Sequence, residues 1–238
     1  MSAEKLKQLL DTYTHNLELL DIEQARTLLQ TLTPRERFQA FKRLNRNGKT
    51  PLHAASEKGD EAFIKCLLEY TPFEQRPHLL QVKNAYGFAP FSNAVYNGRT
   101  GVIKLLLLSV TTNHRYNLLK TSLDAMGQTI LHSAARTGNV ESVKLMLESV
   151  TPDIQQKLLL TRDKLGKTPI DEAVYCNQTE MAACLEEYLT LANVECRETV
   201  LKGSLSITIS YVARLNKLCL HSELSLQSWT TPLASNVC

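Results

Sequence analysis

Residues Gly127–Leu147, GQTILHSAARTGNVESVKLML, carry the pattern from which the fold follows. A turn glycine opens the stretch, then come Thr129, Ile130, Leu131 and His132, followed by the small Ala134 and Ala135. Gly138 interrupts it before Val143, Leu145 and Leu147 resume an apolar face. The spacing predicts a helix, a tight break and a second helix folded back on the first. Neither helix could bury its apolar side alone, so the segment requires neighbours like itself. The chain supplies them as NGKTPLHAASEKGDEAFIKCLL from Asn47, YGFAPFSNAVYNGRTGVIKLLL from Tyr86 and LGKTPIDEAVYCNQTEMAACL from Leu165.

Gly48, Gly87, Gly127 and Gly166 stand 39, 40 and 39 residues apart. Gly59, Gly98 and Gly138 keep the same spacing, and Asn177 takes their place in the fourth copy. Asparagine is the best substitute for glycine where φ is positive, so the turn is expected to persist there. One helix pair per fixed period predicts an all-α solenoid.

These units resemble ankyrin repeats, whose opening motif is G-x-T-P-L-H-x-A-A. Gly48, Thr50, Pro51, Leu52, His53 and Ala55 match it, with Ser56 for the last alanine. Gly127, Thr129, Leu131, His132, Ala134 and Ala135 match as well, with Ile130 for the proline. The Gly166 copy keeps Thr168 and Pro169 but carries Asp171 for the histidine. The Gly87 copy departs furthest, with Ala89 for threonine and Ser92 for histidine. The resemblance implies an ankyrin-repeat solenoid of stacked helix pairs over residues 45–189, with short hairpin loops. It further implies that threonine caps the first helix and that His53 and His132 are scaffolding that ties adjacent repeats. Asp163 becomes the hairpin aspartate.

The period exceeds the roughly 33 residues usual for such arrays. The excess lies after each second helix, in TPFEQRPHLLQVKNAY, TTNHRYNLLKTSLDAM and TPDIQQKLLLTRDKL. An extra turn or short third helix is expected there, turning Leu79–Leu80, Leu118–Leu119 and Leu158–Leu159 inward. Thr71 and Glu74 form a capping-box pattern at its start. The same signature, Thr33-Pro34-Arg35-Glu36 with Phe38 and Phe41 behind it, marks a degenerate unit upstream. Residues 1–44 are therefore expected to form a helical N-terminal cap, with a first helix over Ala3–Leu10 or extending through Leu20. Residues 190–238 are expected to be a C-terminal cap or partly disordered tail, in which residues 204–220 fit a strand or a helix equally.

Bulk properties exclude several classes. Hydrophobic residues at 43% and charged ones at 21% are ordinary for a globular chain. A net charge of +3 from 27 basic and 24 acidic residues gives no general reason to expect nucleic acid. No run approaches the roughly 18 apolar residues of a membrane span, and charges interrupt the N-terminus where a signal peptide would be apolar. Six cysteines share no CxxC or histidine spacing, so reduced thiols in a cytoplasmic setting are expected. No phosphate-binding glycine loop or catalytic constellation is present in the local sequence. Asp163, Asp171 and Glu172 are not expected to hold a metal, Glu172 being read as a solvated helix residue. No cofactor and no small-molecule substrate are expected, and the chain is not expected to be an enzyme.

Partners of ankyrin arrays meet the concave face, made of hairpin tips and the ends of first helices. The register places Arg46, Lys49 and Lys58 there from the first repeat, and Tyr86, Phe88 and Tyr96 from the second. Met126, Gln128 and Arg136 come from the third, and Lys164, Lys167 and Tyr175 from the fourth. Exposed aromatics, Met and Arg are the types enriched at binding hot spots. The expected function is protein recognition, with an apolar anchor on the ligand and acidic flanks. The rival reading is a basic adaptor contacting nucleic acid, or acting in the nucleus, through Arg35, Arg37, Lys42, Arg43, Arg46 and Lys49. Arrays of this style also resemble effectors that intracellular bacteria deliver into a host cytosol.

Overall fold

Thr-Pro steps begin several helices, because the threonine oxygen accepts from early helical N–H groups while proline's missing donor costs nothing in the first turn. A computed structural model describes residues 2–15, 21–120 and 126–201, and its regular elements are helical. Helices α1 (Ser2–His15), α2 (Ile22–Gln30) and α3 (Pro34–Lys42) precede the first glycine-led repeat. That repeat contains α4 (Pro51–Lys58), α5 (Glu61–Glu69), a 3₁₀ turn at Phe73–Gln75 and α6 (Arg76–Leu80). The second contains α7 (Pro90–Tyr96), α8 (Thr100–Leu108) and α9 (Thr112–Lys120). The third contains α10 (Ile130–Thr137), α11 (Val140–Glu148) and α12 (Pro152–Leu159); α13 (Pro169–Tyr175) and α14 (Thr179–Leu201) follow. The chain divides into two compact units, residues 1–192 and 193–238.

Inner helices α1, α4, α7, α10 and α13 pack in series, and outer helices α2, α5, α8 and α11 form a second row. The upstream unit is thus a full member of the stack, with α1 as inner helix, α2 as outer and α3 as third. Tyr13 locks α1 down: its hydroxyl donates to Asp60 at 2.9 Å, and its ring meets Phe63 edge-on at 4.6 Å. The other oxygen of Asp60 caps α5, so one carboxylate serves two helices. The third helices bury Leu79, Leu80, Leu118, Leu119, Leu158 and Leu159, as their recurrence requires.

What holds each third helix against its outer partner is a second repeat of residues that the motif does not contain. Arg37, Arg76, Arg115 and Gln155 recur at intervals of 39, 39 and 40. Each side chain donates to the carbonyl eight residues back, on Leu29, Leu68, Leu107 and Leu147, at 2.7, 3.1, 2.8 and 2.8 Å. Those carbonyls lie in the last turn of the outer helices, where no intrahelical donor remains and where positive charge is favoured. The lengthened period is therefore a helix carrying its own cap for the preceding one.

One local expectation fails. Thr33 and Glu36 make the reciprocal capping box at α3, but Thr71 and Glu74 do not. Pro72 stands at the cap position without a side-chain bond, and the Thr71 hydroxyl donates back to Leu67 O at 2.7 Å. Pro77 is the cause: it has no N–H to bond Phe73 O, so the segment opens as a 3₁₀ turn and restarts as α6.

Two turn positions show the backbone demand behind the glycine register. Asn177 adopts φ 57°, so the turn does persist without glycine. At Gly48, with φ +66°, an added Cβ would lie 2.4 Å from Ala85 Cβ on the next hairpin. The first inner helix ends at His15, past Leu10, while Leu20 and residues 202–238, including the 204–220 stretch, lie outside the described residues.

Candidate protein-binding site

In three of the hairpin tips one side chain organises the backbone. Asn45 Oδ1 accepts from the N–H groups of Asn47 and Lys49, Asn84 Oδ1 from Tyr86 and Phe88, and Asp163 Oδ1 from Leu165 and Lys167. Desolvation alone would raise the Asp163 carboxyl, but these N–H donors and the Gln128 amide outweigh it and hold the group below its ordinary range. Adjacent tips are stitched together, Ala85 N–H donating to Gly48 O at 3.0 Å and Lys164 N–H to Met126 O at 2.9 Å. The residues just before the glycines, Tyr86, Met126 and Leu165, are thereby left exposed in one row.

Behind the tips sit the buried histidines. His53 Nδ1 accepts from Thr50 N–H at 3.2 Å, and its Nε2 donates to Phe88 O at 2.9 Å in the next repeat. His132 repeats both bonds, from Thr129 N–H at 3.1 Å and to Lys167 O at 3.0 Å. A carbonyl can only accept, so Nε2 carries the proton and both rings serve as neutral scaffolding. Burial pushes the His53 imidazole down to about 4. Asp171 keeps the cap in the fourth repeat, accepting from Thr168 N–H and hydroxyl at 2.8 Å each. The second repeat has neither part: Ala89 precedes α7 and offers no side-chain cap, and Ser92 occupies the histidine position.

The residue after each tip glycine pairs with the last turn of its own inner helix. Lys49 meets Glu57 as an ion pair at 2.5 Å, Gln128 bonds Arg136, and Lys167 Nζ lies 3.6 Å from the Tyr175 ring centroid. In the second repeat the same two positions hold Phe88 and Tyr96, which form no such polar pair. They line a pocket of about 350 Å³ with Tyr86, Ser92, Asn93 and Ser133. Tyr86 is 75% exposed and Tyr96 69%.

The remaining sequence-predicted residues disperse around this pocket. Lys58 is turned to α1, donating to Tyr13 O at 2.8 Å and lying 3.8 Å from the Tyr13 ring centroid. Arg46 and Lys164 are exposed on the tips. The basic run splits up: Arg37 caps α2 and stacks on Tyr70, Lys42 lies over Phe38, Arg43 pairs with Asp11 at 3.5 Å, and Lys49 with Glu57. Arg35 and Arg46 are exposed.

Glu172 is a correction. It is not solvated: its side chain is 6% exposed and its Oε1 accepts from Arg136 Nε at 2.8 Å. It occupies the helix position of Ala54, Asn93 and Ser133, on the face covered by the preceding repeat. Its partner is 36 residues away, so nothing local could reveal the pair. Asp163, Asp171 and Glu172 therefore serve a hairpin, a helix cap and an ion pair separately.

A family model described as ankyrin repeats (3 copies) matches residues 18–117 and 112–196. The chain belongs to the ankyrin-repeat family. Ankyrin repeats are protein-interaction modules, and that coarse function holds here. The chain is 32% identical over 149 residues to Alpha-latrotoxin-Lg1a of Latrodectus geometricus, covering 58% of this chain and 10% of that protein. It is 31% identical over 132 residues to the Probable E3 ubiquitin-protein ligase XBOS33 of Oryza sativa subsp. japonica, covering 56% of this chain and 22% of that one. The chain thus spans between a tenth and about a fifth of the length of these ankyrin-containing relatives. Among the described residues no helix is long and apolar enough to cross a membrane.

Proposed function

We propose that this ankyrin array is a non-catalytic recognition module that binds a protein partner on its concave face, with the second-repeat pocket taking an apolar side chain. The observation that carries the reading is the replacement of the Thr/His cap and polar tip pair by Ala89, Ser92, Phe88 and Tyr96 in one repeat only, where a pocket opens. Large side chains entering such pockets contribute most of the binding energy at protein interfaces. The cationic Arg136 and Lys164 on the third and fourth repeats favour an acidic surround on the partner and speed its encounter. Buried Cys66 and Cys184, whose thiols burial pushes up, fit a reducing cytosol.

The test is a comparison of wild type with Phe88→Ala/Tyr96→Ala, first by affinity capture to find partners and then by titration of each purified partner. Loss of two anchor contacts is expected to weaken a true partner by at least about tenfold, with an unchanged circular dichroism spectrum. Equal affinity for both proteins would remove the pocket from the interface.

A further inference from the structure

The pocket and its surroundings are chemically lopsided, and the asymmetry carries information about the ligand. On the side of the first repeat three cations are already engaged, while Arg46 stands exposed on the tip. Lys49 is paired with Glu57, Lys58 donates to Tyr13 O, and Arg99 Nε donates to Glu57 O at 3.0 Å. On the side of the third repeat stands Arg136, one helical turn beyond Ser133, which lines the pocket wall. Positions three apart share a helix face, so Arg136 lies one turn along α10 from a pocket-lining residue, outside the lining itself. It also occupies the register of Tyr96 on the neighbouring helix, and α7 and α10 pack directly.

The Arg136 guanidinium is held from behind. Nε donates to buried Glu172 and one terminal nitrogen to Gln128, while the side chain remains 47% exposed. A guanidinium has five N–H donors in a rigid fork that suits a carboxylate, and anchoring part of the fork pre-organises the rest. Lys164, one repeat further on, extends positive charge along the same direction.

Resting on the pocket reading above, we infer that the ligand is an extended acidic segment, with one large apolar residue in the pocket and a carboxylate about one repeat away at Arg136. The acidic residue lies on the Arg136 side of the anchor, toward the fourth repeat. Packed helices are about 10 Å apart and an extended chain advances about 3.3 Å per residue, so the acid stands about three residues from the anchor. Glu172 and Gln128 are positioning residues in this scheme, since they act through Arg136.

The test is selection of phage-displayed random peptides, about twelve residues long to span the repeats, on the folded wild-type protein. Four proteins are compared: wild type, Phe88→Ala/Tyr96→Ala, Arg136→Ala/Glu172→Ala and Arg136→Lys. The double change at Arg136 and Glu172 removes both charges, so no carboxylate is left buried alone, and circular dichroism checks each fold. Wild type should enrich peptides with one large apolar residue and an Asp or Glu two to four positions away on one consistent side. Without Arg136 and Glu172, that spaced acidic preference should fall about tenfold while the apolar preference stays, one charge-assisted bond being lost. Arg136→Lys should retain a weaker acidic preference. An apolar preference without spaced acid, or a spaced acid that survives loss of Arg136, overturns this inference and leaves the pocket reading standing. Loss of spaced acid in Phe88→Ala/Tyr96→Ala together with its apolar preference supports both. Absence of any apolar preference in wild type overturns the pocket reading itself.

Discussion

The repeat led by Gly127 and the repeat led by Gly87 share a backbone and differ in chemistry. In the former, Thr129 and His132 close the start of α10 and reach Lys167 O in the next repeat. In the latter, Ala89 and Ser92 do neither, and the space behind the tip is lined by Phe88 and Tyr96. The second repeat still folds because it is tied on both sides: His53 of the first repeat bonds Phe88 O, and Arg115 caps its own α8 and reaches Ser149 O in the third. A solenoid shares stability among neighbouring repeats, so one repeat can give up its own cap and tie and offer a surface for binding.

Removing the tie from the well-built repeat should break the comparison most severely. His132→Ala leaves Lys167 O and Thr129 N–H buried without partners, at roughly 2 kcal/mol each, for a loss of about 4 kcal/mol. Urea denaturation measures it, and a loss under 1 kcal/mol would mean that the box is ornamental.

A pH series probes the same element in the first repeat. The folded His53 imidazole is depressed to about 4 from an ordinary 6.5, so between these values the unfolded chain binds the extra proton. Stability from this group is fully present above pH 6.5 and is lost as pH falls toward 4, by about 3 kcal/mol over the window. Desolvation is the main cause, with Lys49 adding to it and Glu57 opposing it. His53→Gln should flatten the urea midpoint across that range; an unchanged slope would assign the dependence to other groups.

The smallest effect comes from making the second repeat resemble the third. Ala89→Thr/Ser92→His installs the cap and fills the pocket at Ser92. A gain of about 1 kcal/mol in stability is expected, together with weakened binding of any partner that uses the pocket. Thermal melts and titrations of the same protein report both. Gained stability with undiminished binding would separate the pocket from the interface.

Much of this was legible in the chain. Glycine spacing, the Thr/His boxes and paired leucines of the third helices state the stack directly, because each is a local backbone or burial requirement repeated in register. Asn177 shows that even the substituted turn could be read. The Thr71–Glu74 box does not form because Pro77 acts a turn later, an effect that a capping pattern does not register. The burial of Glu172 has no local sign because it depends on Arg136 in another repeat. The arginine ladder does leave a signal, Arg37, Arg76 and Arg115 at intervals of 39, of which a reading by charge alone takes only Arg37, as part of a basic run.

By itself, the sequence determined the repeat architecture and the place of the lengthened period, while the scaffold role of His53 and His132 came from the resemblance to ankyrin repeats. The first two follow from conformational preference and periodicity, which act within one repeat and recur in the next. Only the tertiary structure decided which surface residues are already occupied. Lys49, Lys58, Gln128, Arg136, Lys167 and Tyr175 all qualify as binding residues by type and register, yet each is engaged by a neighbour, Arg136 through part of its fork. Phe88 and Tyr96 stand apart from them because packing places two aromatics where other repeats place a polar or charged pair. That distinction depends on which side chains meet across a helix and its hairpin, a property of the stacked repeats.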